Sequence, residues 1–423
     1  MSARSVRPGV VRGSIRAPPS KSYTHRALLA AHLSGRPYHV VRPLDSEDTR
    51  ATAEAIRQLG SSVRREPARW SVRPNVADRR TEVAIDCGES GTTLRLIAPI
   101  AALSGRRVRL TGRGRLPRRP IAELFRAIES LGARCRRLSD AAELPAEVEG
   151  PLHGGTVRID ASQSSQFASA LLLVLPVLPE DSRLELAGPI VSEPYIEATL
   201  RVLDRHGIRF QRHGRQFLVP GRQRYRGARF DVPGDASSAA YFWVAAALTH
   251  GRVRVGGISP EWPQADLAVL PLLRSAGARV RTTARGTTVE GARLRPFHVN
   301  LTRSPDLYPL AGVVAAAIPG VSRLSGAAHV AWKESDRRAG TERLARALGA
   351  EVRPSRGGLA IRGRDHLRSF RLADLDDHRL VMSAAVSALA AGGVSEVGDA
   401  AAVAKSFPEF WAALDSLRAE APA

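Results

Sequence analysis

With 423 residues, 43% of them hydrophobic and 25% charged, the chain is long enough for two ordinary domains with separate cores. No secretory leader or membrane span is expected, because the start MSARSVRPGVVRGSIRAPPSK is never continuously apolar and the longest apolar run, ASALLLVLPVLP, is short and broken by proline. The net charge of +22 points toward a polyanion, but it is spread along the whole length with only 5 Trp, 6 Tyr and 10 Phe to stack on bases, so no nucleic-acid ligand is expected.

In chain order the elements form two interleaved series. The first is an Ala/Leu-rich helix opened by polar residues: SKSYTHRALLAAHLSG from Ser20, SGTTLRLIAPIAALSG from Ser90, SSQFASALLLVLPVLP from Ser164, DASSAAYFWVAAALTHG from Asp235, DLYPLAGVVAAAIPG from Asp306 and DHRLVMSAAVSALAAGG from Asp377. The starts are 70, 74, 71, 71 and 71 residues apart. Between them lies an amphipathic helix closed by glycine and followed by a short strand, as in ELFRAIESLGARC and TERLARALGAEV. Its glycines are Gly60, Gly132, Gly207, Gly277 and Gly349, and the sixth copy, PEFWAALDSLRAE, meets the C-terminus.

The chain is therefore six copies of a unit of about 70 residues, too large for an ordinary solenoid repeat and better grouped as two compact domains of three. The first helix series is apolar nearly all round and is expected to be buried. Its openings, Ser20, Ser90, Ser164–Ser165, Asp235, Asp306 and Asp377, are N-cap residue types. Helix starts carry partial positive charge and free N–H groups, so starts gathered at one place would hold anions.

Of 63 Lys plus Arg, only Lys21, Lys333 and Lys405 are lysine. Arginine is planar and bidentate, whereas lysine is a compact ammonium on a thin stem, so such a chain keeps lysine where a point charge or a proton donor is needed. No glycine precedes Lys21 or Lys405 in the manner of a P-loop, and Cys87 and Cys135 make neither a metal spacing nor a disulfide framework. His25 and His32 lie two turns apart, which is poor metal geometry. No metal and no cofactor are expected, and a reducing cytoplasm is the natural setting.

SKSYTHRALLAA, CGESGTTLRL, LTGRGRLPRRPI, SSQFASALLL, SEPYIEATL, GDASSAAYF, SPDLYPL, WKESDR, DDHRLVMSAA and AKSFPEF follow one another as in the 5-enolpyruvylshikimate-3-phosphate synthase family, which the chain resembles over essentially its whole length. The resemblance implies an α/β fold of two inside-out domains, each of three βαβαββ units. One domain would be discontinuous, residues 1–13 plus 233–423, and the other would be 14–232, with the active site in the cleft between them. It further implies a monomer that transfers the enolpyruvyl group of phosphoenolpyruvate to the 5-hydroxyl of shikimate 3-phosphate and releases phosphate. Those substrates together carry two phosphates and two carboxylates, which cations and helix starts would have to gather.

By motif, the resemblance assigns shikimate 3-phosphate to Lys21, Ser22, Arg26, Ser164, Ser165, Gln166, Ser192, Tyr195, Asp306, His329 and Lys333. It assigns phosphoenolpyruvate to Lys21, Gly91, Arg115, Gln166, Arg337, His378, Arg379 and Lys405. Asp306 is the expected general base toward the hydroxyl, Glu334 the second carboxylate for proton transfer at the methylene carbon, and Lys21 and Lys405 the cations at the leaving phosphate. His329, Glu89 and His25 stand where asparagine is common in the family. A sister enzyme acting on a UDP-amino sugar would carry a cysteine in the loop here reading LTGRGRLPRRPI, and none is present. An RNA-binding protein, favoured by charge alone, would not explain Lys21, Asp306 and Lys333 in their motifs.

Overall fold

Helices of two kinds alternate along the chain, which a computed structural model describes for residues 3–75 and 80–418. Among the described residues they are Lys21–Leu33 (α1), Glu47–Gln58 (α2), Gly91–Leu103 (α3), Ala122–Ser130 (α4), Ser165–Val174 (α5), Pro194–Arg205 (α6), Ala236–Leu248 (α7), Val269–Ser275 (α8), Tyr308–Ala316 (α9), Arg337–Ala347 (α10), His378–Ala388 (α11) and Phe410–Ser416 (α12). The odd-numbered helices are the apolar series of the sequence. Every residue of α9 and α11 is buried, and α7 leaves only Ser237 outside the buried set. The even-numbered helices bury one face; α4, for example, packs Leu124, Phe125, Ala127 and Ile128 inward. The glycine after α4, Gly132, has φ 103°, and Gly277 after α8 has φ 106°, left-handed positions that end a helix and that other residues adopt only with strain.

Among the described residues the strands form six small sheets, one to each repeat expected from the sequence. Glu82–Asp86 and Arg107–Thr111 are parallel, joined through α3, and the antiparallel pair Arg134–Arg137 and Ala146–Glu149 extends that sheet. The order β-α-β-α-β-β thus builds a mixed four-stranded sheet, and it recurs around α5 and around α9. Three repeats are completed by strands from far along the chain. Arg229–Asp231 pairs with Tyr38–Val41, Arg12–Arg16 with Arg252–Gly256, and Arg4–Val6 with Ser395–Val397.

Two compact units result. The first comprises Met1–Pro18, Gly234–Pro260 and Gln264–Ala423; the second comprises Pro19–Pro233 and Glu261–Pro263. Each has its own hydrophobic core, around α1, α3 and α5 in the second unit and around α7, α9 and α11 in the first. In the second unit Ser20 N–H donates to Pro233 C=O at 2.8 Å; in the first, Asp235 N–H donates to Pro18 C=O at 2.8 Å. The short excursion 261–263 belongs to the second unit because Trp262 packs edge-on against Tyr23 and Phe230. Among the described residues no helix is long and apolar enough to cross a membrane.

Candidate active site

In the second unit the first turns of α1, α3 and α5 meet through side chains. Ser90 and Ser164 cap α3 and α5, accepting from Thr93 N–H and Gln166 N–H; Ser20 stands at the N-cap of α1 without such a bond. Lys21, in the first turn of α1, donates to Asp48 at 2.8 Å, and the Asp48 carbonyl accepts from the Thr93 hydroxyl of α3 at 3.2 Å. Gln166, in the first turn of α5, accepts from Arg95 at 2.9 Å and donates to the Thr92 hydroxyl at 3.0 Å, both on α3. Arginine can only donate, so this pairing fixes which end of the Gln166 amide faces which partner.

Arg26 is 2% exposed and gives its N–H groups to Thr199, the Ser22 and Tyr195 carbonyls, and Ser169. Burial lowers its pKa to about 10, still far above neutrality. It ties α1 to α5 and α6 and so sets the backbone at Ser22 and Tyr195. Ser192, just before α6, is buried with φ 54°, a left-handed conformation uncommon for serine.

Gly91, first residue of α3, touches a residue that the motif reading passed over. A Cβ there would stand 2.5 Å from the Arg119 guanidinium carbon. Arg119 is 5% exposed, whereas Arg115, the residue assigned from the motif, is exposed at the start of the turn Leu116–Arg118. The inward cation of the segment is Arg119.

In the first unit the opening of α11, the turn before α9 and the start of α10 are locked by charge. Arg337, 1% exposed, donates from Nε to Asp377 at 2.8 Å and from its two terminal nitrogens to Asp306 and Glu334, each at 2.6 Å. Arg379 donates to the other Asp306 oxygen at 2.9 Å, and Lys333 Nζ lies 3.7 Å from Asp306. Burial alone would raise the Asp306 pKa, but Arg379, Lys333 and Arg337 outweigh it and the repulsion of Glu334, and hold the carboxyl well below its ordinary value. Asp377 is likewise buried and lowered, against the cost of burial, by Arg337 and His378. Burial disfavours the Arg337 cation, yet Asp377, Glu334 and Asp306 together raise its pKa.

Asp306 is not the N-cap that its place in the repeat suggests. Pro305 opens a one-turn 3-10 helix, Pro305–Leu307, so α9 begins at Tyr308 with Leu307 at its cap, and the Asp306 carboxylate is free to take Arg337 and Arg379. Asp235 and Asp377 do cap α7 and α11. Nor are Glu334 and Arg337 a solvated surface pair, since the guanidinium is buried.

His329 is buried at the turn Ala328–Trp332, its pKa lowered to about 4 by burial and by Lys333. His378 is buried in the first turn of α11 beside Asp377. Lys405 ends the turn Ala400–Lys405, which packs on α11. The second unit thus brings Lys21, Ser164, Ser165 and Gln166 around one set of helix starts, and the first unit brings Asp306, Lys333, Glu334, Arg337 and Arg379 together. Besides Arg119, the motif reading missed Asp48, Thr92, Arg95 and Asp377; Arg95 and Asp377 carried a signal, being charged residues inside their own motifs, whereas Asp48 lies between motifs.

The sequence model of EPSP synthase (3-phosphoshikimate 1-carboxyvinyltransferase) matches residues 6–414. The chain is 36% identical over 412 residues to the 3-phosphoshikimate 1-carboxyvinyltransferase of Methanocorpusculum labreanum, covering 97% of each. It is 39% identical over 429 residues to the protein of that name from Halobacterium salinarum, covering 98% of this chain and 99% of the other. Its fold is similar to that of EPSP synthase from Acinetobacter baumannii, with a TM-score of 0.80 at 23% identity over 99% of this chain and 98% of that one.

Proposed function

The chain belongs to the EPSP synthase family, and from that premise we propose how its two units transfer the enolpyruvyl group of phosphoenolpyruvate to the 5-hydroxyl of shikimate 3-phosphate. The full-length match supports the reaction. The observation that carries the residue roles is the set of cations around Asp306.

The hydroxyl oxygen adds to C2 of phosphoenolpyruvate while C3 gains a proton, giving a tetrahedral intermediate. That intermediate loses a proton from C3 and expels phosphate, restoring the double bond. Asp306 accepts the hydroxyl proton, and Glu334 serves the proton traffic at C3. An Asp306 held this far below its usual pKa is a weak base. It becomes a competent one only when a substrate anion draws Arg337 and Arg379 away from it, so binding and activation are one event. Phosphoenolpyruvate supplies that anion, and Arg119, which follows the turn Leu116–Arg118 and lies against Gly91 of α3, supplies a further cation. Lys21 and Lys405 neutralise the phosphate as it leaves, and His378 serves phosphoenolpyruvate.

Shikimate 3-phosphate is held by Lys21, Ser22, Ser164, Ser165, Ser192, Tyr195, His329 and Lys333. Gln166 touches both substrates, and Arg26 shapes the backbone that meets the first. The donor set is mainly cationic and hydroxylic, with the Gln166 amide and the neutral His329 imidazole beside it, which suits phosphate and carboxylate. The thiols Cys87 and Cys135 are unbridged, as suits a reducing cytoplasm.

The experiment is phosphate release from phosphoenolpyruvate with shikimate 3-phosphate, without it, and with a UDP-amino sugar in its place. Release that depends on shikimate 3-phosphate is expected. Release with the amino sugar alone would overturn the assignment of the acceptor.

A further inference from the structure

Arg379 stands between two carboxylates, and only one of them has a role in the reaction above. Its NH2 nitrogen bonds Asp306 at 2.9 Å, while its NH1 nitrogen lies 3.7 Å from Asp266 on the 3-10 turn Ala265–Ala268. The Asp266 side chain is 0% exposed. Its Oδ2 accepts from the Ser237 hydroxyl, in the first turn of α7, and its Oδ1 is buried with no hydrogen-bond partner among the described residues. A buried carboxylate with one hydroxyl donor and a cation beyond hydrogen-bond reach is poorly compensated as an anion.

We propose that Asp266 is a positioning residue that competes with the substrate anion for Arg379 and takes up a proton when that anion wins. The proposal rests on the reading of Arg379 as a phosphoenolpyruvate ligand. The charged and titratable groups that bear most on Asp266 fit it. Arg379 on α11 favours its anion, whereas Asp306 before α9 and Asp235 at the cap of α7 disfavour it. Tyr241, one helical turn beyond Ser237 on α7, is a buried neutral phenol with a raised pKa. Burial is the largest influence, and the balance lifts the Asp266 pKa to about 6. Once a substrate carboxylate or phosphate shares Arg379, the one favourable charge is diluted and a further negative charge arrives. Both changes drive Asp266 toward its neutral acid. Binding of phosphoenolpyruvate is then coupled to uptake of one proton, and the neutral acid leaves Arg379 to the substrate.

Asp266→Asn imitates the neutral acid and keeps the acceptor for Ser237. The ratio of the wild-type to the Asp266→Asn KM for phosphoenolpyruvate cancels the titration of the substrate itself. It is expected to rise from about one at pH 5 to about tenfold at pH 8. In a Ser237→Ala background, where Asp266 loses its donor, the same rise moves to higher pH. A merely structural aspartate would change KM or kcat by a factor that does not vary with pH, and a flat ratio overturns the proposal.

A second readout needs no substrate. A folded-state pKa raised above the unfolded value makes Asp266 destabilising once ionised, so wild-type stability is lost as pH rises from about 4 through about 6. The Tm advantage of Asp266→Asn therefore grows across that window. No growth overturns the proposal at its root. Growth without a pH-dependent KM ratio would instead place the failure in Arg379 as a substrate ligand.

Discussion

The two units share a fold and differ in what stands at the starts of their buried helices. In the second unit the N-cap positions of α1, α3 and α5 are Ser20, Ser90 and Ser164; in the first, Asp235 and Asp377 cap α7 and α11, while Asp306 stands in the turn just before Leu307, the N-cap of α9. The Ser90 and Ser164 caps satisfy backbone N–H groups without adding charge, so the positive field of those helix starts remains available to a ligand. Aspartate caps cancel that field and attract arginines, so the first unit presents anchored guanidinium groups instead. One scaffold thus yields two anion traps: neutral donors with the helix field, and arginines stored on carboxylates. Among the described residues, the second kind gathers three carboxylates on one guanidinium, that of Arg337.

The sharpest break in this comparison is Asp306→Ala. Removing the base is expected to lower kcat for phosphate release by about 10²–10⁴-fold, with folding intact by circular dichroism. Next is Arg337→Ala, which takes the guanidinium from the fully buried Asp377 and leaves Asp306 to Arg379 and Lys333, and costs about 3–5 kcal/mol in denaturant unfolding. Asp306 and Asp377 have depressed folded-state pKa values, so the stability they gain is present above their unfolded values and lost as pH falls through the folded ones. The Tm gap between wild type and Arg337→Ala should therefore close below about pH 4.

Lys21→Arg, Lys333→Arg and Lys405→Arg keep charge but replace a compact ammonium with a wide fork. Each is expected to lower kcat/KM about tenfold or more, and normal kinetics in all three would break the idea that lysine was retained for its shape. Gly91→Ala pushes its new methyl into the Arg119 guanidinium and should raise the KM for phosphoenolpyruvate about tenfold, with a smaller effect on kcat. The smallest change is Ser90→Ala, which removes a cap worth about 1 kcal/mol; an effect several times larger would mean that Ser90 does more than cap.

Much of this was legible in the residues. The repeats could be read because an all-apolar helix and a one-faced helix differ in pattern, and because Gly60, Gly132, Gly207, Gly277 and Gly349 mark the same left-handed turn. The charged cluster could be read as far as most of its members, since SPDLYPL carries Asp306, WKESDR carries Lys333, Glu334 and Arg337, and DDHRLVMSAA carries Arg379. What could not be read was orientation. RGRLPRR holds four arginines within seven residues, and the one that faces inward is decided by the turn around buried Leu116, not by residue type. The N-cap expectation for Asp306 failed because Pro305 starts a 3-10 turn there and delays the helix. Asp266, in a loop reading WPQADLAV, gave no sign of being buried.

The way the chain passes between its units has a consequence for the gene. Pro18 and Asp235 are joined by a hydrogen bond inside the first unit, and Ser20 and Pro233 by another inside the second. Residues 19–233 therefore read like a parenthesis in a sentence: the words on either side still meet when it is lifted out, and its own ends already meet. A coding segment built this way can be duplicated, moved or circularly permuted with short joins, because neither piece needs a long linker to close. The three residues 261–263 are the one phrase left on the wrong side of the bracket. A second unit made alone would lack the indole of Trp262 on Tyr23 and Phe230.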